Sequence, residues 1–104
     1  MTVEYVRYRI TDPERRAAFE KAYAAAVTHL YAAPQCVGYE LSRGVEDPQR
    51  YVLRIEWTSV ADHEHGFRAG PHFPPFRDGT APFADDIEEM RHYERTLVVH
   101  KGRL

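Results

Sequence analysis

The chain has 104 residues, of which 43% are hydrophobic and 29% charged, and its formal net charge is −2. This length allows one domain, and the composition is that of a globular protein rather than a disordered one. The small acidic balance argues against nucleic-acid binding, and no apolar run is long enough to span a membrane. A lone cysteine, Cys36, excludes an internal disulfide. We therefore expect one cytoplasmic domain over residues 1–104.

The first half of the chain has the clearest secondary-structure signals. Residues 3–10 alternate between two faces, which predicts a strand. Asp12 followed by proline predicts a helix start, and three- and four-residue apolar spacing predicts an amphipathic helix to about residue 32. Residues 36–45 and 50–58 predict two strands joined by a short polar turn, and such strands form an antiparallel hairpin.

The second half is less regular. Ser59 with Asp62 three residues later is close to a capping box and predicts a short helix ending near residues 66–70. Residues 71–76 contain three prolines and predict an ordered aromatic loop with room for one helical turn. A turn or short helix is predicted over 84–89 and a last strand over 90–99. The order predicts an α+β, ferredoxin-like βαββαβ fold with a four-stranded antiparallel sheet.

A four-stranded sheet with both helices on one side has an open second face. We expect that face to carry rows of Tyr, Leu, Ile, Val and Trp, which water would not tolerate. A second copy of the chain is the simplest cover for such a surface. The sequence therefore predicts a homodimer in which the two sheets face each other.

Three segments resemble a known family. Residues 51–59 read Tyr-Val-Leu-Arg-Ile-Glu-Trp-Thr-Ser, and Gly-Phe-Arg at 66–68 and Pro-His-Phe-Pro-Pro-Phe at 71–76 follow. These segments resemble the antibiotic biosynthesis monooxygenase family, in which a strand ending in Glu-x-Trp precedes a short helix and a Pro-His-Phe-x-x-Phe segment. The resemblance extends from Val3 to about Glu94. It implies a dimeric α+β barrel, and it implies oxidation of phenols by dioxygen without metal or flavin.

The haem-degrading branch of that family is a poor match. Its members use an Asn in the first strand, a Trp in the second helix and a His just after the Phe-x-x motif. This chain offers Val6 or Arg7, Gly66 or Phe67, and Phe76 or Arg77 at those places. We therefore do not expect haem degradation.

A cofactor-free oxygenase needs a dry aromatic pocket, a base for the phenolic proton, and donors for the developing oxyanion. His63 is a candidate base because its helical spacing from Val60 and Phe67 turns it toward the sheet. His72, which lies in the family's Pro-His-Phe motif, is the second candidate. The candidate substrate-binding residues are Trp57, Phe67, Phe73, Phe76, Arg7 and Tyr51.

Each of these roles has a structural alternative. His63 fits a hydrogen-bonded core histidine equally, His72 fits a loop contact, and Trp57 fits a core ring. Arg7 fits an ion pair with a strand carboxylate such as Glu56 or Glu94. The remaining histidines are expected at the surface: His29, His65, His92 and His100.

No metal and no cofactor are expected. His63 and His65 do not converge on one helix face, and no Cys or carboxylate cluster completes a tetrahedral set. The leading hypothesis is a cofactor-independent monooxygenase acting on a small phenol or quinol. Two alternatives stay open, a non-catalytic dimeric module that binds a small ligand and an isomerase or cyclase of the same fold.

Overall fold

A computed structural model describes residues 1–100 of the chain. Four strands form one sheet in the order β2-β3-β1-β4, and neighbouring strands are antiparallel. The strands are β1 (Thr2–Arg9), β2 (Cys36–Arg43), β3 (Arg50–Trp57) and β4 (Ile87–Glu94). Helix α1 (Pro13–Ala32) joins β1 to β2, and helix α2 (Phe73–Thr80) lies between β3 and β4. The predicted βαββαβ order is confirmed.

Helix α1 forms where the sequence predicts it. The Asp12 side chain accepts a hydrogen bond from the Glu14 backbone N–H at 2.9 Å, which caps the first turn, and Pro13 needs no partner there. Its buried residues recur at three- and four-residue steps: Phe19, Tyr23, Ala26 and Leu30. None of the helices in residues 1–100 is long and apolar enough to cross a membrane.

The segment after β3 differs from the prediction. Ser59 Oγ does accept from the Asp62 backbone N–H at 2.9 Å, but the turn that follows, Asp62–Phe67, is π-helical. Helix α2 then occupies the stretch that the sequence predicts as a loop. Its prolines fall in the first helical turn, where a missing N–H breaks no helical hydrogen bond.

The last strand also begins earlier than predicted. A 3-10 segment, Ala81–Asp86, leads directly into β4, whose first residue Ile87 pairs with Tyr8 of β1. The strand ends at Glu94, so the predicted extension to residue 99 is wrong. Leu97 and Val98 are apolar, which favours a strand, but both side chains are almost fully exposed.

The core lies between the sheet and the helices. Val6 of β1 stands opposite Leu53 of β3, and both are buried. Phe19 lies at the centre of a ring cluster in which centroid distances are 4.7–5.1 Å. Its neighbours in that cluster are Tyr8, Tyr23, Tyr51 and Phe83. Such packing is the main apolar burial that holds α1 on the sheet.

The open sheet face is not the apolar surface that the sequence predicts. The bulky residues of β3 belong to the buried core: Tyr51, Leu53, Ile55 and Trp57. The open side instead carries paired charges, with Arg54 donating to Glu56 at 2.8 Å, together with Tyr5 and Tyr93 in edge contact at 5.4 Å. A two-residue alternation separates the faces of a strand, but it does not indicate which face the helices cover.

Candidate functional site

A cavity of about 230 Å³ lies between the sheet and the segments that cover it. Its apolar wall comes from β1, β3, the π-helical turn and α2: Val6, Leu53, Ile55, Trp57, Phe67, Phe73 and Phe76. Its polar lining includes Glu4, Tyr8, Tyr23, His63, Arg68 and Thr80. A few polar groups in an aromatic and aliphatic enclosure are typical of a small-molecule site.

His63 lies at the centre of the polar lining of the cavity. It is 3% exposed and stacks on Trp57, with the ring centroids 4.2 Å apart and the planes 11° apart. Its Nδ1 lies 2.7 Å from Nε2 of His92, and its Nε2 lies 3.7 Å from Oε1 of Glu4. Trp57 Nε1 donates to the same Glu4 oxygen at 3.0 Å. These four side chains form one network, in which Glu4, Trp57 and His63 are buried and His92 is half-buried.

The sheet register explains how the network is assembled. Glu4 of β1 stands opposite Ile55 of β3 on one side and His92 of β4 on the other. All three therefore share the face that the helices cover, and the π-helical turn places His63 above them. The prediction that His92 lies at the surface is wrong, because its pairing with Glu4 puts its side chain on the covered face of the sheet, where it is half-buried.

Sequence reasoning missed Glu4 altogether. Glu4 shares its strand face with Val6, Tyr8 and Ile10, all of which are buried. A carboxylate on an otherwise apolar strand face was the available signal, because such a group is rarely buried without partners.

Burial sets the protonation of the network. It lowers the pKa of His63 to about 4, and the neighbouring charges of Arg68 and His92 act in the same direction. Burial raises the pKa of Glu4, and the hydrogen bond from Trp57 partly offsets that rise. His63 is therefore neutral near pH 7, and its contact with Glu4 is not an ion pair there.

Stability should fall as the pH is lowered from about 6.5 to about 4. In that window the unfolded chain protonates His63, whose ordinary pKa is 6.5, whereas the folded protein does not. Glu4 opposes this trend in part, because its raised pKa lets the folded protein bind a proton first. Urea unfolding at pH 7 and at pH 5 measures how far the free energy of unfolding falls between the two pH values. This fall should be smaller for His63→Phe than for the wild type. An equal fall in the free energy of unfolding of both proteins would contradict the lowered pKa of His63.

The same side chains have to be considered as metal ligands. Glu4, His63 and His92 offer three ligand atoms within 4.8 Å of one another, so a carboxylate does accompany two histidines here, contrary to the sequence expectation. However, the two imidazole nitrogens lie 2.7 Å apart, whereas two nitrogens on one tetrahedral zinc are separated by roughly 3.3 Å. Glu4 Oε1 is also held by Trp57. This spacing suits a shared proton better than a shared metal ion.

Four of the predicted substrate-binding residues line the cavity: Trp57, Phe67, Phe73 and Phe76. Two do not. Arg7 lies on the open sheet face, is 53% exposed and faces Glu89 at 3.8 Å, so the ion-pair alternative describes its placement. Tyr51 borders an open groove of about 870 Å³ beside the start of α1 and donates to Glu20 Oε2 at 2.5 Å.

The two predicted bases are not brought together. His63 lines the cavity, whereas His72 directly precedes α2 and borders a separate pocket of about 190 Å³ with Gln35 and Pro71. His65 is exposed, as expected.

A pair of tyrosine hydroxyls forms a second polar point of the cavity. Tyr8 and Tyr23 hydrogen-bond to each other through their hydroxyl oxygens. Burial raises the pKa of Tyr8 to about 12 and raises that of Tyr23 as well. Both phenols are therefore protonated at neutral pH; one O–H donates to the other hydroxyl, which leaves one O–H as a donor beside the cavity.

Comparison with known proteins gives three informative matches. The sequence model of the family described as antibiotic biosynthesis monooxygenase matches residues 1–78. The uncharacterized protein YczJ of Bacillus subtilis (strain 168) is 24% identical over 76 residues, which are 73% of this chain and 80% of that protein. A solved structure from Bordetella bronchiseptica, named after the same family, has 29% identity and a TM-score of 0.74, covering 92% of this chain and 97% of its own.

A more distant structure shares the fold. SnoaB, a cofactor-independent oxygenase from Streptomyces nogalater, has 22% identity and a TM-score of 0.71, with 94% of this chain and 98% of that chain covered. At this identity the likeness shows the architecture alone.

Proposed function

Because the chain belongs to the antibiotic biosynthesis monooxygenase family, we propose that it oxidises a small electron-rich phenol or quinol with dioxygen, without metal or flavin. The observation that carries the proposal is the cavity of about 230 Å³, in which aromatic walls surround a neutral, buried histidine. The cofactor-independent oxygenase SnoaB has the same fold, which is consistent with this chemistry.

The cavity supplies what the reaction needs. His63 accepts the phenolic proton at Nε2, and the positive charge of Arg68 favours the phenolate that forms. The phenolate gives one electron to dioxygen, and the resulting radical pair combines at a ring carbon to give a peroxide. The peroxide takes up a proton and loses water together with the hydrogen of that carbon, which leaves a carbonyl. The substrate therefore loses two hydrogens, one from the phenol oxygen and one from the ring carbon, and gains one oxygen. The second oxygen atom leaves as water.

The cavity volume limits the size of the substrate. A cavity of about 150 Å³ accommodates benzene, and sites for drug-sized molecules are usually about 300 Å³ or larger. The cavity here, at about 230 Å³, lies between these values. We expect quinols of one or two rings to be oxidised in preference to those with three fused rings.

A panel of one-, two- and three-ring quinols, incubated under air and under nitrogen, tests both statements. Oxygen uptake with a one- or two-ring quinol, and a product with one carbonyl more, would support the proposal. Saturable binding without turnover would favour a ligand-binding module. Product formation under nitrogen would favour an isomerase or cyclase. Preferential oxidation of three-ring quinols would contradict the size limit.

We also propose that the chain is a homodimer whose open sheet faces meet. The open face carries Tyr5 and Tyr93, and alternating charges of both signs can pair across a two-fold axis. Sedimentation velocity at micromolar concentration should give twice the chain mass, and Tyr93→Arg should lower it toward that of a single chain. A wild-type protein that sediments as one chain would contradict this proposal.

A further inference from the structure

A row of proton-exchanging groups connects the cavity to the edge of the sheet. His63 lines the cavity, whereas His92, its hydrogen-bonding neighbour at 2.7 Å, does not. His92 is half-buried on β4, which is an edge strand. The path therefore begins at the substrate and ends close to solvent.

A base as buried as His63 has to dispose of the proton that it accepts. An imidazolium with 3% exposure loses most of its hydration, which makes the charged state unfavourable unless the charge moves on or is paired. Glu4 Oε1, 3.7 Å from Nε2, is too far for a hydrogen bond and is engaged by Trp57. His92 is the group within hydrogen-bonding distance of the ring's other nitrogen.

We infer that His92 relays the substrate proton between His63 and solvent. This assignment rests on the proposed function and gives a positioning and proton-transfer role to a residue outside the cavity. Other charged groups lie nearby: Glu4 of β1 faces His63 Nε2, and Arg68, just after the π-helical turn, acts on both His63 and Glu4. Glu64 acts on Glu4. Trp57 of β3 covers the remaining face of the His63 ring.

The number of protons is conserved in the outward and in the return transfer. In the resting state the His63 Nδ1–H donates to His92 Nε2, and His63 Nε2 holds the lone pair. The substrate O–H bond breaks, its proton binds His63 Nε2, and the Nδ1 proton passes to His92 Nε2 while His92 Nδ1–H releases a proton to water. When the peroxide leaves as water, a proton returns along the same path and restores the first tautomer.

The test uses the full-length protein with a quinol that the wild type oxidises, and compares His92→Phe and His92→Gln with His65→Phe as an exposed control. We expect kcat for a neutral phenol to fall about a hundredfold in both His92 variants. KM should stay within about twofold, because His92 does not line the cavity. Added imidazole should restore part of kcat in the variants.

A second substrate separates proton transfer from a structural role. A phenol that is already ionised at the assay pH gives no proton to His63 and needs the path only for the returning proton, so its oxidation should lose less kcat than that of the neutral phenol in the same variants. An equal loss for neutral and ionised phenols would overturn the relay, and so would an unchanged kcat for the neutral phenol. Failure of the wild type to oxidise any quinol would instead overturn the proposed function.

Nitrogen-15 NMR of the histidine rings provides a measurement that needs no substrate. We expect a strongly downfield imidazole proton on His63 Nδ1 that is lost in His92→Phe. A His63 ring protonated only at Nε2 would overturn the resting state of the relay.

Discussion

Replacing His63 with phenylalanine is expected to lower kcat for a neutral phenol by about two to four orders of magnitude, the usual contribution of a general base. Phenylalanine is flat and of similar size, so it can keep the stacking on Trp57 that now has a centroid distance of 4.2 Å. It cannot accept a proton. KM should change little, because the aromatic walls that bind the ring remain in place.

Two further variants make the assignment specific. His65→Phe changes an exposed histidine on the same turn and should retain wild-type kcat. His72→Phe tests the second predicted base, which borders a different pocket. Stopped-flow or steady-state oxygen uptake measures all three variants. A His63→Phe protein with full kcat, or a His72→Phe protein with the larger loss, would contradict the role given to His63.

Replacing Trp57 with alanine should produce the largest loss of stability. Trp57 is fully buried, stacks on His63 and packs against Phe67 at 5.0 Å. Truncating such a ring destabilises a protein by about 3–5 kcal/mol, and a domain is typically stable by about 5–15 kcal/mol. The change also removes the donor that holds Glu4 Oε1. Urea unfolding at fixed protein concentration should show a much lower midpoint.

Trp57→Phe removes the hydrogen bond to Glu4 and keeps part of the packing. This variant keeps a buried ring but leaves the Glu4 carboxyl without the Trp57 Nε1–H, which should destabilise by about 1–3 kcal/mol. Val60→Ala, at an exposed position just before the π-helical turn, is a suitable control and should unfold near the wild-type midpoint. Equal midpoints for Trp57→Phe and the wild type would mean that the Glu4 contact contributes nothing to stability.

Most of the fold was predictable because its signals are local. The Asp12 cap, the alanine-rich periodicity of α1 and the alternation of β1 and β3 each depend on neighbouring residues. The prolines of α2 were misleading because a proline favours a first helical turn as readily as a loop, and sequence alone does not locate that turn. The open sheet face was misassigned for a different reason, since only tertiary packing decides which face the helices cover.

The candidate site was only partly predictable. His63 and the rings of the cavity wall lie within 20 consecutive residues, so helical spacing and the family resemblance are enough to predict them. Glu4 and His92 lie at opposite ends of the chain and meet only through the pairing of β1 with β4. The predicted last strand includes His92, but the sequence does not show which residue of β1 it pairs with or which face of the sheet the helices cover.

The π-helical turn gives a way to classify relatives of this chain. Its defining bond runs from the Arg68 N–H to the His63 carbonyl, five residues back, and such turns are uncommon and often mark functional positions. The turn fixes the spacing Trp-x5-His-x3-Phe between positions 57 and 67. We expect the same proton-transfer residues in a relative that has this spacing, a glutamate in its first strand and a histidine in its last strand. A relative that is one residue shorter between the tryptophan and the phenylalanine would be sorted into a different mechanistic subgroup.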